Sequence, residues 1–350
     1  MRKSLLIVLL IAILTVVVTF NRSPESVTGS KVTLLVHESF ILSESLITDF
    51  ESESGIDLEI VAAGDAGSVL AGAILAAGEP TADVIFGVDN TLLAKALDAY
   101  IYEPYRSASM ESVIADVANT YGDLVTPIDF GDVCINFDKD MANPPTTLDD
   151  LRNPIFRGQT VVTDPAASSP GLAFMLATIA KYGDNSKFEG NWLSYWRDLK
   201  ANGVKVVNSW SDAYFVEFTK GGGDGKYPIV LSYASSPAAE WVYANEPKPK
   251  SVGTTSMMDG CFRQIEYAGI LRGTDNRAGA EKVIDWLLSK EVQEDIPFNM
   301  FVYPVSSEAE IDPKFVEFAP FASNPITLDV EYIAENLDTW LAEWDSVMRN

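Results

Sequence analysis

Between residues 32 and 97 the chain alternates short apolar runs with amphipathic segments, and few architectures accommodate that rhythm. VTLLV at 32–36, the run from Ile56 to Ala62 and DVIFGV at 83–88 read as strands. Ser43 to Ser54 carries Leu46, Ile47 and Phe50 on one helical face and closes at Gly55; Ser68 to Ala77 closes at Gly78; Asn90 is placed to cap a helix bearing Leu92, Leu93, Ala96 and Leu97. Strands separated by helices predict parallel neighbours, because a parallel pair needs a crossover. Ligands of such open sheets sit beyond the carboxyl ends of the strands, here at 37–40, 64–68 and 89–90.

The pattern resumes after a less regular stretch at 100–127. DVCINF reads as a strand, NPPTT as a turn and LDDLRN as a short helix. GQTVVTDPAASSPGLAFMLA (158–177) then runs a strand, Gln159 to Thr163, into a helix with Pro170 in its first turn. Ser168, Ser169 and the free N–H groups of that turn would point out of the sheet, where the helix dipole favours a polar or anionic head; an ordinary N-cap at Ser169 is the plainer alternative. Helix 191–201, strand 204–207, helix 211–220, a flexible GGGDG turn, strand 229–233 and a helix with Trp241 follow. A strand at 264–271 returns the chain, a helix spans 277–289, and Leu337, Trp340, Leu341 and Trp344 mark a final helix with a core-facing stripe.

A length of 350 residues leaves room for two cores. The expected α/β organisation is a first lobe of 31–128 and 268–305, a second of 129–267, and a segment 306–350 assigned to neither. Residues 5–20, LLIVLLIAILTVVVTF, follow Arg2 and Lys3 and precede a polar stretch, so 1–22 reads as a signal peptide or membrane anchor and 23–30 as a linker. The run is slightly short of the ~20 residues of a spanning helix, and it lacks a small-x-small cleavage site; with no cysteine nearby, lipid attachment there is excluded. The two cysteines, Cys134 and Cys261, read as separate buried thiols, with a bridge as the alternative in an exported chain.

Fifty acidic against 25 basic side chains, a net charge of -25, argue against nucleic acid or anionic lipid as partners. Catalytic patterns are missing: there is one histidine, His37, and no CxxC, HExxH or GxSxG. GGGDGK at 221–226 lacks the Ser or Thr of a phosphate loop and follows a helix, so it reads as a surface turn. Binding chemistry is better represented. Trp210, Tyr233 and Phe301 fall at strand ends, and Asp65 would face them across a cleft. Aromatic faces hold flat heterocycles and cations, and a carboxylate adds a charged partner.

DVIFGVDNTLL (83–93), TTLDDL (146–151), TDPAASSPGL (163–172), SWSDAYFVEFTKG (209–221), LSYASSPA (231–238) and IPFNMFVYPV (296–305) resemble, in the same order, segments of the thiamine-binding solute receptors of ABC importers. The resemblance covers roughly residues 32–345. It implies a two-lobed, type II periplasmic-binding-protein fold, each lobe a mixed, mostly parallel sheet flanked by helices. By position, it implies that Asp65, beside Ala66, meets the aminopyrimidine or thiazolium. Ser168 and Ser169 would receive the hydroxyl or phosphate end, and Trp210 and Tyr233 would line the ring site. The chain has His37-Glu38-Ser39-Phe40 where the family tends to Tyr-Asp-Ser-Phe, Ala239 for a tyrosine and Phe301 for a tryptophan, with Trp241 as a stand-in. The expectation is an extracytoplasmic, non-enzymatic monomer without metal or cofactor, its lobes hinged near 131–136 and 266–271, delivering thiamine or a thiamine phosphate to a permease. The alternatives are a receptor for a polyamine or ferric iron, an enzyme acting on a bound pyrimidine, and an adhesion or scaffold domain. Tyr233 is followed by Ala234, which removes the adjacent tyrosines that iron capture in this group employs.

Overall fold

The computed structural model describes residues 30–118, 121–184 and 189–349. The expected targeting segment, 1–22, and the linker up to residue 29 lie outside the described residues. Among the described residues no helix is long and apolar enough to cross a membrane.

The opening alternation folds as parallel β1 (Lys31–Val36), β2 (Asp57–Ala62) and β3 (Val84–Asp89), with β1 in the middle. Helix α1 (Glu44–Ser54) stops at Gly55, whose φ of 71° and N–H bond to Glu51 make a left-handed cap. Helix α2 (Ala66–Leu75) begins two residues earlier than Ser68, because the Asp65 carboxylate accepts the Ala66 N–H. Asn90 does not cap α3 (Leu93–Asp98). The Asp89 carboxylate takes the Thr91 and Leu92 N–H groups, while Asn90 bonds Arg263 and Ile265 of a neighbouring strand.

After β4 (Tyr102–Glu103) the chain enters β5 (Thr126–Asp138), much longer than DVCINF. In the second lobe, β6 (Thr160–Thr163) leads to α4 (Ser169–Tyr182), then α5 (Trp192–Ala201), β7 (Lys205–Val207) and β8 (Ile229–Tyr233). Helix α6 (Pro237–Tyr243) precedes β9 (Thr254–Leu271), which starts ten residues before the expected 264. The sheet order is β2-β1-β3-β9-β5-β8-β6-β7. Parallel trios at both ends are joined through antiparallel β5 and β9, paired from Thr126↔Ala268 to Asp138↔Thr254. Their direction follows from the path: the strand entering lobe 2 and the strand leaving it run oppositely.

Cys134 and Cys261 form a disulfide, with Cα atoms 4.4 Å apart, which corrects the expectation of separate thiols. The pairing of β5 with β9 brings together residues 127 apart in sequence, a proximity invisible before the strands are extended. The helix expected at 211–220 is a six-residue π-turn, Asp212–Glu217. Nor is GGGDG a loose turn: a Cβ on Gly221 would lie 1.6 Å from the Tyr214 carbonyl oxygen, and one on Gly225 2.2 Å from that of Phe218. The loop is glycine-rich because it presses against the π-turn backbone.

Helices α7 (Arg277–Leu287) and α8 (Lys290–Asn299) cover lobe 1, and β10 (Tyr303–Pro304) adds to β5. After α9 (Pro313–Phe318), α10 (Val330–Met348) crosses between lobes. It is fastened to lobe 2, where Trp344 meets Trp196 of α5 edge-on at 5.5 Å, Lys200 reaches the Val347 carbonyl and Arg349 pairs with Asp164. Its other side rests on α3 of lobe 1.

Candidate functional site

The carboxyl ends of both parallel trios open on one crevice. It is lined by His37 and Ser39 after β1, Asp65 before α2, Ser169 and Pro170 at the start of α4, Trp210 after β7, Tyr233 at the end of β8, Glu266 of β9, and Met300 and Val302 after α8. Its internal space is about 30 Å³, room for roughly two waters, where ligand pockets usually offer ~300–1,000 Å³. The lobes are shut. A Cβ on Gly67 of α2 would meet the Ala167 carbonyl oxygen at 3.0 Å, so the two helix-start turns press directly together.

The Asp65 carboxylate serves as N-cap with one oxygen. Its other oxygen and the Ser168 hydroxyl, both buried, face each other from opposite lobes without closing a well-formed hydrogen bond. Burial pushes the Asp65 carboxyl up; Ser168, the Ala66 N–H, His37 and the Trp210 N–H act against it. Gly87 of β3 makes room for His37: at φ 93° it has no Cβ, which would lie 2.2 Å from the imidazole Cδ2. His37 Nδ1 accepts the Ser39 N–H at 3.2 Å, and Nε2 lies 3.4 Å from Glu266 Oε1. Burial opposes charge on this ring, but Glu266, with Asp65 and Asp89, draws its pKa up overall.

Trp210 donates its indole N–H to Ser232 at 2.9 Å and stacks on Tyr214 at 5.4 Å, with Tyr233 edge-on at 6.4 Å. Tyr233 donates to Gln264 at 3.0 Å; burial holds its phenol well above the usual range, so it stays a neutral donor. Gln264 in turn donates to Ser169 of lobe 2 at 2.9 Å and to Asp89 of lobe 1. One buried amide on a strand shared by both lobes therefore ties the two crevice walls together.

Of the residues singled out in the sequence, His37, Ser39, Asp65, Ser169, Trp210 and Tyr233 meet here. Four do not line the crevice. Ala66 supplies an N–H to Asp65. Ser168, at 2% exposure, occupies the N-cap position expected of Ser169, without a side-chain capping bond. Trp241 packs near Phe318 with Lys248 over its ring. Phe301 is buried, its ring 5.4 Å from Tyr243 and its carbonyl accepting the Ser235 hydroxyl. Sequence reading missed Glu266, Met300 and Val302. The available signal was the lone charge in the otherwise apolar strand QIEYAGIL.

Chemically, the crevice sets two carboxylates and two aromatic rings against one another, and no lysine or arginine is among its described lining residues. That combination suits a flat, positively charged solute. No described group of three or more His, Cys, Asp or Glu side chains is arranged to hold a metal ion.

Residues 79–336 match the model of the bacterial extracellular solute-binding protein family. The chain belongs to that family. It is 28% identical over 296 residues to the thiamine-binding periplasmic protein of Salmonella typhimurium, covering 84% of this chain and 85% of that one. It is 25% identical over 327 residues to the protein of the same name from Brucella abortus, covering 92% and 93%. A solved structure of a periplasmic thiamin binding protein superposes with a TM-score of 0.79 at 24% identity, over 91% of this chain and 96% of that one. A family built to bind solutes outside the cytoplasm accords with a two-lobed chain whose loop ends converge on a crevice.

Proposed function

We propose that this protein captures thiamine between its lobes and delivers it to an ABC-importer permease. The observation that carries the reading is the lining of the crevice: Asp65 and Glu266 beside Trp210 and Tyr233, with no lysine or arginine among its described lining residues. Thiamine brings a flat ring, a fixed positive charge and a polar tail. The rings of Trp210 and Tyr233 take the heterocycle, the carboxylates take the charge, and Ser169 with the start of α4 takes the hydroxyl. The names of the relatives support the same solute. A phosphate on the tail would add negative charge to a crevice that already holds two carboxylates, so thiamine phosphates bind more weakly than thiamine.

In the mechanism, lobe 1 (31–128 and 268–305) and lobe 2 (129–267) part by bending β5 and β9, admit the ligand and close on it, and the closed form docks on the permease. The chain works as a monomer, held at the outer face of the membrane by residues 1–22 or released once they are removed. No bond in the ligand is made or broken. The test is a tryptophan-fluorescence titration of purified protein with thiamine, thiamine monophosphate, spermidine and ferric citrate. Saturable quenching strongest with thiamine is expected, and recovered ligand should be unaltered in mass. Folded protein that responds to spermidine or iron but not thiamine overturns the reading.

A further inference from the structure

On β9, Glu266 is flanked in register by Asp89 of β3 and Asp129 of β5. Three carboxyl groups from adjacent strands lie side by side at 7%, 0% and 1% exposure. Their surroundings differ. Asp89 Oδ1 accepts the N–H and hydroxyl of Thr91 and the Leu92 N–H, and Oδ2 accepts from Gln264; these donors favour its anion, although burial still pushes the carboxyl up to about 6. Neither oxygen of Asp129 has a donor, and its neighbour across the strand is Glu266. Two groups that only accept cannot bond to one another unless one carries a proton. With both oxygens buried and unpartnered and Glu266 beside it in register, Asp129 sits where the neutral acid is favoured; burial first, and then Glu266, push its pKa well up.

The remaining charged groups nearby do not replace that proton. Asp65 adds negative charge from the start of α2. Arg263, on the same strand, is committed to Asp132. Tyr233 is a neutral donor to Gln264. His37 faces Glu266 through Nε2 and, against its burial, the surrounding carboxylates draw its pKa up, but its Nδ1 accepts the Ser39 N–H, a bond that a doubly protonated ring would lose; His37 is therefore the rival proton source that the test must separate from Asp129.

We infer that a permanently cationic ligand settling against Glu266 expels the proton held by Asp129 on the neighbouring strand, so that the site selects for fixed positive charge and binds more tightly as pH rises. The exchange balances: ligand cation in, one proton out to bulk water, the net charge of the crevice unchanged. Asp129 acts through Glu266 as a positioning residue for charge and does not line the crevice. The inference rests on the thiamine reading and names how that site recognises charge.

Isothermal titration of the full chain with thiamine near neutral pH, in buffers of different ionisation heat, counts the protons released. About one proton is expected, with affinity rising by up to about tenfold per pH unit in that range. The isostere with carbon in place of the thiazolium nitrogen should bind without proton release. Asp129→Asn should abolish the release, whereas His37→Gln should retain it. A protonated-carboxyl infrared band in the ligand-free wild type, absent from Asp129→Asn, gives a readout independent of binding. The inference is overturned if thiamine binds without releasing a proton, if the neutral isostere releases as many, or if release is lost in His37→Gln and kept in Asp129→Asn. A folded protein that binds no thiamine at any pH overturns the functional reading itself, and this one with it.

Discussion

Asp65 caps α2 with one carboxylate oxygen while the residue also lines the crevice, so its charge and its structural duty can be separated. Asparagine caps about as well as aspartate. Asp65→Asn is expected to leave the thermal midpoint almost unchanged while weakening thiamine binding about tenfold or more, read by fluorescence titration. Trp210→Ala removes a cation–π face worth ~2 kcal/mol when desolvated, an affinity loss of about 30-fold. Protons act at the same scale. The buried Asp89 carboxyl is pushed up to about 6 from its usual 3.8, a stabilisation of the ligand-free protein fully present below 3.8 and lost as pH rises through about 6. That loss is on the order of 3 kcal/mol. His37, also drawn upward, loses its contribution in the same direction. Urea denaturation should therefore find the ligand-free protein less stable near pH ~7 than near pH ~5, with saturating thiamine offsetting the drop. Asp65, Trp210 and Tyr233 were legible in the sequence because polar and aromatic side chains at strand ends are conspicuous. Glu266 was not: it lies within an apolar strand, and only the neighbouring strands show what it faces.

Elements were read well where the periodicity was local and poorly where tertiary pairing decided. β1, β2 and β3 fall within a residue of expectation, because apolar runs bounded by helices leave little choice. β5 and β9 extend far past their apolar cores, since each is held by a partner strand rather than by its own composition. The same pairing set the disulfide between them. Closing a loop of 127 residues restricts the unfolded chain by about 4–5 kcal/mol in the chain-entropy account. Reduction and alkylation, or Cys134→Ser with Cys261→Ser, should lower the thermal midpoint by several degrees or more without moving the crevice residues. Gly87 gives a sharper test of how β3 serves the site. In Gly87→Ala the new methyl meets the His37 ring and the left-handed φ is strained, so both stability and ligand affinity should fall.

At the scale of the molecule, two lobes share one sheet, and the strands that join them are paired along their length. Sliding would break that register; bending preserves it. α10 adds a second connection, anchored to lobe 2 through Trp196 and Trp344 and resting on α3 of lobe 1. If the lobes part as proposed, the α3 end of this helix is expected to lift, and the packing given up there would weight the equilibrium toward the shut form even before a solute arrives. Capture would then be gated: in stopped-flow mixing, the observed rate should climb with thiamine concentration and level off at the frequency with which the helix lets go. Weakening the seat on α3 with Leu337→Ala should raise that ceiling, turning the end of the chain into a brake whose grip can be measured with a clock.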